Sequence, residues 1–323
     1  MTTMKMKSWV FERYGGPDVL QLRERPVPEP AADEVLIKVA ASAINPSDVK
    51  NLNGAFAAPV PRVPGRDFSG IIVKGAGREG EAVWGSGAGS GISKDGTHEE
   101  YIVLPSSTVG KKPESLSLSA AASIGVPFLA AWYGLTHCGA LKSGQTVLIT
   151  GAMGAVGKAA SQIARWKGAR VVGAIREHPT TSSDSGRMVS TSDQNWAEQV
   201  REYTDGRGVD LILDTVGGAL FNQCLSALGR GRAYVVLASG KPEVTFNLVN
   251  FYHELQQLIG FDTMKLNDID IKHSLDIMAK GFDSGDLVPP DYRNWPFEQA
   301  PQAYQSVAKG TQGIKQILSF SGQ

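Results

Sequence analysis

The 323 residues carry 32 Lys and Arg against 32 Asp and Glu, so the chain has no bulk attraction to polyanions, and nucleic acid is not an expected partner. A chain of this length outgrows one comfortable core, and two domains are expected. Only Cys138 and Cys224 occur, each in an apolar stretch, which excludes a disulfide framework and a cysteine-rich zinc site. Met1 to Val10 has no apolar leader core, and no apolar run approaches the ~18 to 20 residues that span a bilayer. The expectation is a cytoplasmic protein.

From Ser8 to Leu104, short β-rich segments such as Glu34-Val-Leu-Ile-Lys-Val39 and Gly70-Ile-Ile-Val73 alternate with Pro and Gly clusters, the pattern of a compact barrel-like domain. From about Ser119 the texture changes, with apolar residues at helical spacing through Phe128 to Leu135. Strands then alternate with helices: Thr146 to Thr150, a helix from Ala155, Arg170 to Ala174, a helix near Asp193 to Tyr203, and Val209 to Asp214. A helix near Ala219 to Leu228 and strands Ala233 to Leu237 and Gln257 to Phe261 complete the series. This alternation predicts an α/β fold with a parallel sheet of about six strands covered by helices on both faces. Thr191 and Gln194 stand at capping-box spacing, which predicts a helix start there. Two further helical patterns and a strand from Ile314 to Phe320 are too short for a core of their own, so the C-terminal segment is expected to return to the first domain.

The strongest chemical signal is the strand Val147-Leu-Ile-Thr150 running into Gly151-Ala152-Met153-Gly154-Ala155-Val156-Gly157 and then an alanine-rich helix. Glycines at such a turn let the backbone approach a pyrophosphate, and the helix N-terminus offers it free N–H groups. Ala152 replaces a glycine of the commoner pattern, and the alternative is a turn that serves only helix-strand packing. The strand after that helix ends at Ile175-Arg176, where an NAD-binding fold places a carboxylate. An arginine there pairs with a 2′-phosphate instead, so NADPH is favoured over NADH. Glu177 and a surface role for Arg176 are the competing readings. The hydroxyls of Thr180, Thr181, Ser182 and Ser183 either assist that phosphate or cap turns.

Five segments in order, Ala43-Ile-Asn-Pro-Ser-Asp48, Pro64-Gly-Arg-Asp-Phe-Ser-Gly70, Gly96-Thr-His-Glu-Glu-Tyr101, Ile124 to Trp132 and Gly151 to Gly157, resemble the zinc-independent quinone oxidoreductase (zeta-crystallin-like) branch of the medium-chain dehydrogenase/reductase superfamily. The resemblance implies a Rossmann doubly wound sheet, residues 123–264, inserted in a GroES-like β-rich catalytic domain formed by residues 1–122 and 265–323, with the cofactor in the cleft. It also implies a homodimer. Zinc-containing relatives place a cysteine at Asn45 and a histidine at Arg66, and their structural-zinc lobe needs four cysteines where this chain has none, so no metal is expected. His98, a lone histidine, reads as structural, and Cys224 as a core residue.

Without a metal, the resemblance implies hydride transfer from NADPH to a quinone or an activated C=C bond. Asn45, Asp48 and Lys50 are the candidate catalytic residues, with Asn45 and Lys50 as donors to the developing oxygen. Ser239 and Gly240, in Leu237-Ala-Ser-Gly240, are candidate cofactor contacts beside Gly151 to Gly157 and Arg176. Two rivals stay open: an enoyl reductase acting on thioesters or terpenoids, and an NADPH-binding regulatory protein with little turnover.

Overall fold

A computed structural model describes residues 4–87, 89–177, 187–311 and 313–320. In chain order it contains β1 (Lys5–Phe11), β2 (Leu20–Pro26), β3 (Glu34–Ile44), α1 (Pro46–Leu52), β4 (Asp67–Lys74), β5 (Ala82–Ser86), β6 (Tyr101–Pro105), β7 (Gly110–Lys111), α2 (Leu118–Ala122) and α3 (Gly125–Tyr133). Then follow β8 (Thr146–Thr150), α4 (Ala155–Trp166), β9 (Arg170–Ile175), β10 (Arg187–Ser190), α5 (Trp196–Tyr203), β11 (Val209–Asp214), α6 (Phe221–Ala227), β12 (Leu228–Val236), α7 (Leu248–His253) and β13 (Gln257–Gly260). The chain closes with α8 (Asp268–Ser284), β14 (Tyr292–Pro296), α9 (Ala300–Lys309) and β15 (Lys315–Ser319). Contacts divide it into two compact units, Met1–Leu129 with Thr263–Gln323, and Ala130–Asp262.

The first unit is built on the long strand β3, which pairs antiparallel with β4 along one edge. Its other edge is shared end to end: β6 takes Glu34 to Lys38 and β15 takes Ala41 to Ile44. A C-terminal strand thus completes an N-terminal sheet, and β14 lies parallel beside it. The core beneath gathers Trp9, Phe11, Ile37, Phe68, Phe297, Tyr304 and Leu318. Trp9 satisfies its buried indole N–H on the Phe297 carbonyl at 2.8 Å.

In the second unit the strand order is β10-β9-β8-β11-β12-β13, all parallel, which is the doubly wound Rossmann arrangement. The chain reverses its direction of travel across the sheet between β8 and β11. The central strand β8 is buried at every residue, as a strand covered on both faces requires. The helix α4 packs through Gly157, Ala159, Ala160, Ile163 and Ala164. Small side chains there bring the helix close to the sheet.

Two local expectations change. The helix expected from Thr191 begins at Trp196 with Asn195 at its N-cap, because residues 191–195 turn to deliver the chain from β10, a four-residue strand too short to show a period. The strand expected at Ala233 starts five residues earlier, at Leu228, where Gly229, Arg230, Gly231 and Arg232 hide it from an apolar pattern. Among the described residues no helix is long and apolar enough to cross a membrane.

Candidate active site

Within the second unit, parallel pairing sets Ile149 opposite Leu213, so Thr150 and Asp214 end adjacent strands at the switch point. Asp214 is completely buried. Its Oδ1 accepts the Thr150 hydroxyl at 2.5 Å and the N–H groups of Val216 at 3.0 Å and Gly217 at 2.8 Å. Its Oδ2 accepts the Tyr234 hydroxyl at 2.5 Å. Thr215 returns two bonds to Thr150, N–H to hydroxyl and hydroxyl to carbonyl. One carboxylate therefore ties the ends of β8, β11 and β12 together beneath the glycine turn.

The turn needs its glycines for stated reasons. Gly151 has φ +59°, and a Cβ there would meet the Thr215 hydroxyl at 2.6 Å. A Cβ at Gly157 would lie 2.3 Å from the Gly151 carbonyl, so only glycine lets α4 enter this close. Ala152 is buried against the sheet, whereas Met153 and Gly154 face outward. Gly154 is the N-cap of α4 and has no side-chain bond over the helix end. The first N–H groups of a twelve-residue helix are thus presented with a positive dipole end and no side chain over them. A dinucleotide pyrophosphate fits this cradle.

Arg176 follows β9 and is exposed, as is Glu177. The Arg176 carbonyl accepts the hydroxyls of Ser190 and Ser192, which fixes the backbone while the guanidinium remains at the surface. Gly240 donates its N–H to the Val216 carbonyl at 3.1 Å, so Ser239 and Gly240 stand beside the Asp214 turn. Thr180, Thr181, Ser182 and Ser183 lie outside the described residues.

In the first unit, strand register builds a second polar group. Ile44 pairs with Gln316 and Ala43 with Asp67, which places Lys315, Asn45 and Asp67 in a row across β15, β3 and β4. Lys315 Nζ donates to Asn45 Oδ1 at 2.6 Å, and Asn45 Nδ2 donates to Asp67 Oδ2 at 2.9 Å. The Lys315 ammonium is 4.0 Å from the Asp67 carboxylate. Asp67 Oδ1 accepts the Val126 N–H at 3.0 Å. Burial lowers the Lys315 pKa, while Asp67 and Asp48 oppose that fall.

Asn45 is also the N-cap of α1, and Asp48 accepts its N–H at 2.7 Å. Asp48 is buried with Arg66, whose Nε lies 3.8 Å from Asp48 Oδ1 and whose guanidinium also reaches the Ser47 hydroxyl. Burial raises the Asp48 pKa, with Arg66 as the main opposing charge. Lys50, two residues further along α1, is exposed and stands apart from this group. The cation beside Asn45 is Lys315.

His98 is fully buried between the Ala43 carbonyl, 3.3 Å from Nε2, and the Tyr304 hydroxyl, 3.0 Å from Nδ1. A carbonyl can only accept, so Nε2 carries the proton and Nδ1 accepts from Tyr304. Burial draws the imidazole pKa down to about 4. Cys224 is buried too, and burial followed by the Asp214 charge raises its thiol pKa. Among the described residues no three His, Cys, Asp or Glu side chains converge to hold a metal.

Lys315, Asp67, Asp214 and Tyr234 were not singled out by sequence reasoning. A lysine inside an otherwise apolar final strand and an aspartate closing Val-Asp-Leu-Ile-Leu-Asp214 were the available signals.

Comparison with known proteins agrees with this geometry. Residues 31–114 match the alcohol dehydrogenase GroES-like domain, and residues 155–280 match the zinc-binding dehydrogenase family. A zinc-type alcohol dehydrogenase-like protein of Schizosaccharomyces pombe is 34% identical over 273 residues, covering 82% of this chain and 81% of that one. The quinone oxidoreductase of Homo sapiens is 29% identical over 320 residues, covering 94% and 93%. The solved structure of an alcohol dehydrogenase superfamily protein from Novosphingobium aromaticivorans superposes with a TM-score of 0.86 at 27% identity, covering 97% and 99%. With both domain types in order, the Rossmann sheet and relatives along nearly its whole length, the chain belongs to the medium-chain dehydrogenase/reductase superfamily of nicotinamide-dependent oxidoreductases.

Proposed function

We propose that this oxidoreductase is zinc-free and NADPH-dependent, and that it passes hydride to a quinone or an activated C=C bond. The observation that carries this reading is the chemistry of positions 45 and 66. Asn45 Oδ1 is already engaged by Lys315, and the Arg66 guanidinium has no lone pair to offer a metal. A substrate that accepts hydride without a Lewis acid is the consistent partner. Quinone oxidoreductases among the relatives support the same class.

The reduced nicotinamide, when bound, supplies the hydride. The backbone from Gly151 to Gly157 and the α4 N-terminus would hold the pyrophosphate, Ser239 and Gly240 would be further cofactor contacts, and Arg176 would pair with a 2′-phosphate. Asn45 has a second amide hydrogen beyond the one on Asp67, and it serves as donor to the substrate oxygen. Asp48 positions Asn45 through its backbone N–H, and the cation beside Asn45 is Lys315, not the exposed Lys50. Homodimerisation is part of this reading, supported by the edge strand β13 and by exposed Leu248, Tyr252, Leu255 and Leu258.

Cofactor oxidation measured across quinones, 2-alkenals, cyclic enones and simple alcohols tests the assignment. Quinones or enones are expected to turn over at rates indifferent to chelators, with alcohols at least about a hundredfold slower, a gap of roughly 2.7 kcal/mol in barrier. Efficient alcohol oxidation that a chelator abolishes would overturn it.

A further inference from the structure

The sheet of the second unit has a second polar end. Ligands of parallel sheets sit outside the carboxyl ends of the strands, where the glycine turn lies. At the opposite, amino ends of β8, β9, β11 and β12 there is a cavity of about 330 Å³, lined by Thr146, Arg170, Arg207, Asp210, Arg230 and Arg232 among others. Four arginines converge there in a chain whose net charge is zero.

Their partners do not balance them. Arg207 pairs with Asp205 at 3.3 Å, and Arg232 with Asp210 at 3.0 Å. The other Asp210 oxygen accepts the Thr146 N–H at 2.8 Å. Arg170 and Arg230 are exposed and have no carboxylate partner among the described residues. Thr146 adds an independent observation: it is 1% exposed, and its hydroxyl has no hydrogen-bond partner. A buried hydroxyl left unpaired is costly, and a ligand oxygen in the cavity would relieve it.

We propose that this cavity binds a small phosphate-bearing anion of the diphosphate class, held by the guanidinium groups of Arg170 and Arg230 and accepting the Thr146 O–H. Guanidinium forks match phosphate oxygens in pairs. The volume lies at the small end of ligand pockets, and the four arginines form a compact cluster and not the extended basic stripe that a nucleic-acid backbone requires. Asp210 is in the lining, but its charge is matched by Arg232.

Calorimetric titration of inorganic pyrophosphate into the protein, with saturating NADPH present to occupy the glycine turn, tests the site. One pyrophosphate per chain is expected, bound at least tenfold more tightly than sulfate. Arg170→Ala/Arg230→Ala, both exposed positions, should weaken it tenfold or more at an unchanged melting temperature. Thr146→Val removes an unpaired buried hydroxyl at constant shape, so it should weaken binding about threefold while raising the melting temperature. Absence of saturable heat, unchanged affinity in both variants, or equal affinity for sulfate, the mark of an adventitious ion only, would each overturn the proposal.

Discussion

Asp214 and Asp67 are both completely buried, and the two units satisfy them by opposite means. Around Asp214 every bonded partner is neutral: two hydroxyls and two backbone N–H groups. Around Asp67 there is one N–H, one amide and the Lys315 ammonium. Four dipoles spread the stabilisation over three strands, so no one of them carries it. A single ammonium concentrates it in one side chain 248 positions away along the chain, and losing that cation leaves a buried charge uncompensated. Burial and the neighbouring charge also keep Tyr234 and Cys224 protonated beside Asp214. Among the described residues, buried countercharge belongs to the first unit.

The largest expected effect breaks that countercharge. Lys315→Met should lower unfolding free energy by about 3 to 5 kcal/mol, read from urea denaturation. The double variant Lys315→Met/Asp67→Asn, which removes both charges, should recover part of the loss. A single variant within about 1 kcal/mol of wild type would show that Asp67 does not depend on its cation.

On the neutral side, Asp214→Asn keeps the shape but turns an NH₂ group toward donors. The expected loss is about 2 to 3 kcal/mol, smaller than for Lys315→Met because the remaining oxygen keeps its donors. The same denaturation series decides the order of the two, and a reversed order would contradict the contrast between spread and concentrated compensation.

The two regions also differ in how far the sequence reveals them. The turn from Gly151 to Gly157 is contiguous, and its glycines are required by close contacts with the Thr215 hydroxyl and the Gly151 carbonyl, so its signature survives in one dimension. The strand-helix alternation was readable for the same reason, apart from β10 and the first half of β12. The polar row of Lys315, Asn45 and Asp67 exists only once β15 has paired with β3, a register set by tertiary packing. Asn45 and Asp48 were reachable through the resemblance. Lys50 stands at the right spacing along the chain, yet the helix turns it outward.

Arg176 extends the comparison to a charge at the surface. Arg176→Ala should raise the NADPH dissociation constant about tenfold, worth about 1.4 kcal/mol, and leave NADH nearly unchanged. Rising salt should erode the wild-type preference, as it does for exposed pairs. Paired titrations of both cofactors into both proteins are the measurement, and equal losses for the two would make Arg176 a structural residue.

Glu99 lies between the two regimes, and it gives the smallest effect. Its carboxylate accepts the Ser8 hydroxyl at 3.0 Å and Arg25 at 3.3 Å, while Arg25 is shared with Asp95 at 2.7 Å. Burial pushes the Glu99 carboxyl up to about 8, with Arg25 and Ser8 opposing and Asp95 adding to the rise. Between its ordinary value of 4.5 and 8 the folded chain therefore holds a proton that the unfolded chain has released, so stability falls as pH rises through that window. His98 works the other way: between 4 and 6.5 the unfolded chain holds the extra proton, and stability rises with pH. The two slopes oppose one another below 6.5, and above it only the Glu99 slope remains. One proton limits that slope to about 1.4 kcal/mol per pH unit, and titration near pH 8 reduces the change from pH 7 to 8 to about 1 kcal/mol. Glu99→Gln should flatten this interval in urea midpoints measured at the two pH values. A variant that keeps the full wild-type decline would place the released proton on another group.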